Sequence, residues 1–276
     1  MPTSAGCELE INGFSSIRGR ELNRHVTAAK SALALASIDS YETATDGSCG
    51  YTGDPGVEVK TKIMKTEGDI VELARAVRAL KNAGGETNHF CGMHVHLGYT
   101  GKNGGVNFSR DRIARYRFTR FMVRHEDTMF DLCDASRRGN RFCFKFVPEV
   151  RAALINGEGF EKAFEKYLSA ATRYNNDRHC WVNMQAIEKY GTFENRLWHG
   201  SLEEDMVLGW VNTQLQIAKL TLVDGVKFDW NHNLTTPRAR IERFIDELCH
   251  DNTARCEGVR SWLTTRMLEI SSKGAI

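Results

Sequence analysis

Three short stretches of this chain alternate apolar and ionisable residues with a period of two, and each does so with the same chemistry. In Cys7-Glu8-Leu9-Glu10-Ile11 the carboxylates share one face and the apolar residues the other. Within residues 91–99, His94 and His96 oppose Met93, Val95 and Leu97. Further on, Glu194 and Arg196 oppose Phe193, Asn195 and Leu197, and strict alternation carries Trp198 to the polar side. Period two is a strand signal, so the chain must fold around a sheet with one buried face. An ordinary wet face would mix in Thr, Ser, Lys and Gln. Carboxylates, imidazoles and a guanidinium are instead ligands for metal ions and phosphates. Carboxylates gathered in one place raise each other's pKa unless a cation neutralises them. Oxygen donors suit Mg²⁺ or Mn²⁺, with imidazole better tolerated by Mn²⁺. An arginine beside them can grip a phosphate in bidentate fashion.

The remaining segments alternate short strands with long helices. Strands are predicted over 7–12, 41–45, 57–63, 91–99, 180–187 and 191–198, the last two antiparallel around a Glu188–Gly191 turn. Helices are predicted over about 20–37, 67–83, 109–135, 158–172, from Ser201 to about Val223, from Pro237, and over about 253–271. Thr66 with Asp69, and Ser201 with Glu204, have capping-box spacing. This order indicates an α+β fold: a mainly antiparallel sheet, helices packed on one face and the active site on the other. No Pro-rich linker divides the chain, since only Pro2, Pro55, Pro148 and Pro237 occur. A single catalytic domain over 1–276 is expected, with core motifs at about 6–220 and a helical C-terminal part at about 236–271.

The formal net charge of +2 gives no pull toward nucleic acid or a membrane. No apolar run approaches the roughly 20 residues of a transmembrane helix. Residues 1–6 lack the pattern of a signal peptide. The eight cysteines are dilute and none forms a CxxC pair, which points to reduced, buried thiols and a cytoplasmic address. Cys49 and Cys91 lie near the alternating strands, but buried thiols account for them better than nucleophiles do.

Other polar residues fit the rim of such a site or plain structure. Asp46 and Ser48 suit a rim position or an Asp-Gly turn. Asn183 and Gln185 share a face beside the Glu194 strand, as functional groups or as cross-strand hydrogen bonds. Arg137, Arg138 and Arg141 end a predicted helix, where cations favour the dipole and an anion site is the alternative. Residues 100–105 lack the GxxxxGK[ST] order of a phosphate loop. His199 either sees the site or merely bounds the strand.

The ordered motifs resemble a known family. Gly6-Cys7-Glu8-Leu9-Glu10 looks like a GxExE strand, and residues 91–98 (CGMHVHLG) resemble the MHxH strand of glutamine synthetases and their relatives. Glu194-Asn195-Arg196 resembles their late ExR strand, in the same order. Closer still are the amidoligases, carboxylate–amine ligases with a glutamine-synthetase-like catalytic fold. Asp46-Gly47-Ser48, Gly56-Val57-Glu58-Val59, Trp181-Val182-Asn183 and residues 191–196 (GTFENR) all read like that group.

The resemblance implies an ATP-dependent enzyme that uses Mg²⁺ or Mn²⁺ to join small-molecule or peptide carboxylates and amines through an acyl phosphate. By motif position Glu8, Glu10, Glu58, His94 and Glu194 would hold metal. His96 would approach the ATP phosphates, with Asn183 on the same nucleotide side, and Arg196 would stabilise the transferring phosphoryl group. Arg196, His96 and Glu194 are the implied catalytic residues. The chain departs from a glutamine synthetase: its ExE strand begins at Gly6, so the separate N-terminal domain is expected to be missing. Ammonia, glutamate and a ring assembly are therefore not carried over, and the oligomeric state stays open. Two other readings stand beside this one. A metal-dependent amide hydrolase could use the HxH strand, though it needs further His and Asp ligands. A non-catalytic binding module could keep the same fold.

Overall fold

The computed structural model describes residues 3–15, 23–51, 54–99, 108, 111–174, 178–224, 234–251 and 253–273. The strands are β1 (Thr3–Ile11), β2 (Gly13–Phe14), β3 (Glu42–Tyr51), β4 (Asp54–Lys60), β5 (Gly85–Glu86), β6 (Gly92–Tyr99), β7 (Val182–Asn183) and β8 (Phe193–His199). Among the described residues, six of them form one sheet in the order β3-β4-β1-β6-β8-β7, with every neighbouring pair antiparallel. β2 and β5 pair separately. The three alternating stretches are thus β1, β6 and β8, side by side at the centre.

The helices are α1 (Arg24–Leu35), α2 (Glu67–Asn82), α3 (Arg112–Arg124), α4 (Glu126–Leu132), α5 (Pro148–Ile155), α6 (Phe160–Tyr174), α7 (Ala186–Tyr190), α8 (Glu204–Ala218), α9 (Pro237–Leu248) and α10 (Ala254–Ser272). The apolar face of the sheet meets them. Cys7, Leu9, Ile11, Val57, Val59, Met93, Val95 and Leu97 are all buried, with α8 against β1 and β6 and α1 against β3 and β4. Each such side chain contributes about 1.5–3 kcal/mol by leaving water. The mixed helix-and-strand class with an antiparallel sheet is as the sequence indicates. No helix among the described residues is long and apolar enough to cross a membrane.

Helix starts follow local chemistry in part. Thr66 Oγ1 accepts from Asp69 N at 3.2 Å, and Asp69 Oδ2 accepts from Thr66 N at 2.8 Å, completing the box at α2. Thr236 caps α9 ahead of Pro237. The Ser201–Glu204 box does not form: Ser201 Oγ accepts from Glu203 N at 3.0 Å, and α8 begins after Glu203.

The tertiary structure revises several boundaries. β3 continues through the expected glycine turn to Tyr51, and β4 lies three residues earlier than predicted at its start, because the two pair with each other across a bulge. The long helix predicted over 109–135 breaks at His125. Glu126, fully buried, accepts from Phe146 N at 2.7 Å and Trp181 Nε1 at 2.8 Å and pairs with Arg151. Those partners set the direction of α4. The predicted strand over 180–187 shrinks to Val182–Asn183, because Asn183 Oδ1 accepts from Gln185 N at 3.0 Å and turns the chain into α7. α5, with Pro148 at its first turn, was not predicted.

β8 carries the largest correction. Met93 pairs with Trp198 and Val95 with Asn195, so three steps on β8 face two on β6. This bulge inserts one residue and reverses the parity beyond it. Trp198 therefore joins the core face, stacked on Trp210 of α8 at 4.4 Å and tilted against Trp262 of α10 at 5.5 Å. Asn195, which broke the apolar pattern, is buried on that same face and donates to Gln214 Oε1 of α8 at 2.9 Å.

Candidate active site

The other face of the sheet floors an open cavity of about 720 Å³. Glu8, Glu10, Glu58, His94, His96, Asn183, Glu194 and Arg196 all line it. Register brings them together: Glu8 faces His94, Glu10 faces Glu58, and His96 faces Glu194, which in turn faces Asn183. Each of these is a direct cross-strand pair, the geometry that puts two side chains within reach.

His94 is the hub. Its Nδ1 lies 3.1 Å from Glu8 Oε2 and 3.6 Å from Glu194 Oε1, while its Nε2 lies 3.4 Å from Glu10 Oε1. Ligand atoms of Glu8, His94 and Glu194 all fall within 4.8 Å of one another, as do those of Glu10, Glu58 and His94. The five residues implied as metal ligands thus form two groups that share one imidazole. Ligand atoms of Glu10, Asp46 and Cys49 also lie within 4.8 Å of one another.

Each carboxylate is held. Gly92 N donates to Glu10 Oε2 at 2.6 Å. A methyl group on Gly92 would press within 3.1–3.4 Å of His94 Nε2, Arg137 Nη2 and Glu10 Oε2, so glycine keeps that junction open. Asn183 Nδ2 donates to Glu194 Oε2 at 2.6 Å, and Arg196 Nη1 pairs with Glu194 Oε1. His96 Nε2 lies 3.5 Å from Glu8 Oε1 and its Nδ1 lies 3.3 Å from Thr192 Oγ1.

The electrostatics follow from these contacts. Burial opposes ionisation of Glu8, but hydrogen bonds from His94 and His96 outweigh it and hold the carboxyl well below its usual range. Glu194 is likewise disfavoured by burial yet held low by Arg196, then by His94, His96 and Asn183. Glu58 goes the other way: burial and the charge of Glu8 raise it, against the pull of Lys60.

Some residues that the sequence left ambiguous now have places. Asp46 and Ser48 line the cavity from within β3, where Asp46 Oδ1 accepts from Ser48 N at 2.7 Å, in place of the expected Asp-Gly turn. Gln185 lines the cavity too. Arg138 donates to the carbonyls of Phe130 and Asp131 at the end of α4, as the dipole account expects. Arg137 does something else. It is 1% exposed and donates Nε to Leu197 O at 3.0 Å and Nη2 to Arg196 O at 2.8 Å, clamping the β8 bulge beside Arg196. His199 stacks on Trp198 at 4.9 Å and is not among the residues lining the cavity. Cys49 and Cys91 are buried; Cys49 Sγ lies 3.4 Å from Ile11 O and Cys91 Sγ 3.4 Å from Asn88 Oδ1. Residues 100–105, which lack the phosphate-loop order, lie outside the described residues.

Sequence reasoning missed several wall residues. Lys60 faces the site one period after Glu58, its Nζ 2.8 Å from Glu58 Oε2 and 3.6 Å from Glu8 Oε1. The period-two pattern could have found it. Phe142, Arg178, His179, Lys189 and Tyr190 reach the cavity from loops and from α7, where no periodic signal exists.

An antiparallel sheet whose open face gathers four carboxylates, two imidazoles and an arginine defines an α+β protein with a ligand-rich cleft. A family model described as "Putative amidoligase enzyme" matches residues 5–218, well over half of the chain. The chain belongs to that amidoligase family. No curated protein matches it. The matched range contains every residue named in the cleft and ends at the last residue of α8.

Proposed function

We propose that this chain is an ATP- and divalent-metal-dependent carboxylate–amine ligase, forming an amide or isopeptide bond through an acyl phosphate. The observation that supports it most is the convergence of Glu8, His94 and Glu194 within 4.8 Å, beside a guanidinium bonded to the same Glu194. The donor set fits the ion: carboxylate oxygens with one imidazole suit Mg²⁺ or Mn²⁺. Glu8, His94 and Glu194 would hold one ion, and Glu10 with Glu58 border a second position. Ions bound there would shield the nucleotide phosphates and open the γ-phosphorus to attack.

The chain's own groups do the rest. Arg196 stands at the carboxylate cluster, where its fork stabilises charge on the transferring oxygens. His96, oriented by Thr192 and Glu8, presents its ring to the phosphates. Asn183 fixes Glu194 through a 2.6 Å hydrogen bond. The substrate carboxylate oxygen attacks the γ-phosphorus while the bond to the ADP oxygen breaks. The amine nitrogen then attacks the acyl carbon, phosphate leaves, and the amine proton passes to a base on the cavity wall, where Glu188 and His179 stand. A cavity of about 720 Å³ accommodates a nucleotide and the reacting end of a small molecule or peptide.

Calorimetric titration of a non-hydrolysable ATP analogue, with and without Mg²⁺ or Mn²⁺, tests the proposal on the wild type, Glu8→Ala and Arg196→Ala. Metal-dependent binding weakened by both substitutions is expected, followed by phosphate release when acid and amine pairs are screened. A folded protein that binds no nucleotide under any metal condition overturns the ligase. A zinc-containing preparation without nucleotide affinity would favour the hydrolase.

A further inference from the structure

The two candidate metal groups are not equivalent, and the difference lies in Lys60. A neutral imidazole has one lone pair: one ring nitrogen accepts or ligates and the other carries a proton. His94 therefore serves one of the two groups. Among the described residues the Nδ1 side has two carboxylates within 4 Å, Glu8 at 3.1 Å and Glu194 at 3.6 Å, whereas Nε2 has Glu10 at 3.4 Å. Once Nδ1 ligates there, the Nε2 proton faces Glu10 Oε1, 3.4 Å away, a carboxylate–histidine arrangement that fixes the ring.

The other group is then depleted. Glu10 has Oε1 facing that imidazole and Oε2 accepting from Gly92 N at 2.6 Å. Glu58 remains, and its Oε2 is 2.8 Å from Lys60 Nζ. The same ammonium reaches back to Glu8 Oε1 at 3.6 Å, across the direct β1–β4 pair Glu8–Lys60.

Resting on the ligase reading above, we infer that Lys60 is a built-in cation at the second metal position, so that the nucleotide-free protein holds one divalent ion, at Glu8, His94 and Glu194. The Lys60 side chain is 42% exposed on a flexible stem, so its ammonium can swing out when a stronger cation arrives. Lys60 thereby makes the second ion conditional on a ligand that brings its own negative charge.

The test is Mn²⁺ binding to the full chain without nucleotide, read by calorimetry and by the electron paramagnetic resonance signal of free Mn²⁺. The wild type should bind one ion. Lys60→Met keeps the methylene stem and removes the charge, and it should bind two, the second with an affinity gain on the order of tenfold. Lys60→Arg should stay at one. Lys189→Met removes another cation of the cavity wall, one whose Nζ lies over the Tyr190 ring and has no carboxylate contact of this kind among the described residues, and it should also stay at one. Two ions on the wild type, or one on Lys60→Met with its single site intact, overturns the inference and leaves the ligase reading standing. A second ion gained equally by Lys189→Met also overturns it, because general charge would then be the cause. Absence of Mn²⁺ binding from both folded proteins removes the metal centre itself, and the inference with it.

Discussion

Glu8 and His94 are paired directly across the β1–β6 ladder, and His94 Nδ1 stands 3.1 Å from Glu8 Oε2. The same carboxylate takes His96 and Lys60 on its other oxygen, at 3.5 and 3.6 Å. One residue of an edge-to-edge pairing thus collects three basic groups, and removing its charge should disturb the whole cluster.

Glu8→Gln keeps the shape and deletes the charge. Mn²⁺ affinity should fall by more than the roughly 10–100-fold that loss of an outer partner costs. Titration calorimetry checks it, and an unchanged isotherm would take Glu8 out of the metal centre.

Arg137 should matter for stability and for the site together. Arg137→Met strips the donors from the carbonyls of Arg196 and Leu197, and an unpaired buried carbonyl costs about 1–3 kcal/mol. A loss of about 2–6 kcal/mol in unfolding free energy follows for the two, with Arg137→Lys recovering part of it. Urea denaturation measures this. Nucleotide affinity should fall alongside, since the clamp sets the strand that carries Arg196.

His199 makes stability depend on pH. Burial, helped by the charge of Arg266, pushes it from an ordinary 6.5 down to about 4. Between those values the unfolded chain binds a proton that the folded chain does not, so stability falls as pH drops through that window and levels off below it. At about 1.4 kcal/mol per unit the full loss approaches about 3 kcal/mol. His199→Phe, which keeps a ring on Trp198, should flatten that limb. Denaturant melts across the window decide it, and an unaltered slope would assign the loss to other groups.

Gly209 sets how closely α10 docks on α8. A methyl group there would overlap the Trp262 indole. Gly209→Ala should lower stability by about 1–3 kcal/mol, the usual cost of overpacking, and Trp262→Leu added to it should restore part of the loss. Thermal melting of the single and double variants is the measurement. Additive losses would mean that the two residues do not meet.

Much of the cleft was legible because a strand has a rigid period. Glu8, Glu10, His94, His96, Glu194 and Arg196 fall on one face once their segments are strands, and they line the cavity together with Glu58, which the family resemblance had implied. Alternation failed at Trp198, because a bulge is a property of two strands together: Met93 to Val95 spans two steps where Trp198 to Asn195 spans three. Helix ends show the same limit. Thr66 and Asp69 satisfy each other locally and form their box, whereas the break at His125 is dictated by Glu126 reaching Phe146 and Trp181, 20 and 55 residues away.

By itself, then, the sequence determined the three central strands, the α+β class and the ligand-type residues of the open face, because side-chain direction along a strand is local geometry. Only the tertiary structure decided which carboxylate meets which imidazole, where Arg137 anchors and what Lys60 faces. Register between strands, the bulge and the fate of a buried charge depend on partners distant in sequence. A buried polar group takes the partner that folding brings to it, since leaving it unpaired costs more than bending the local pattern.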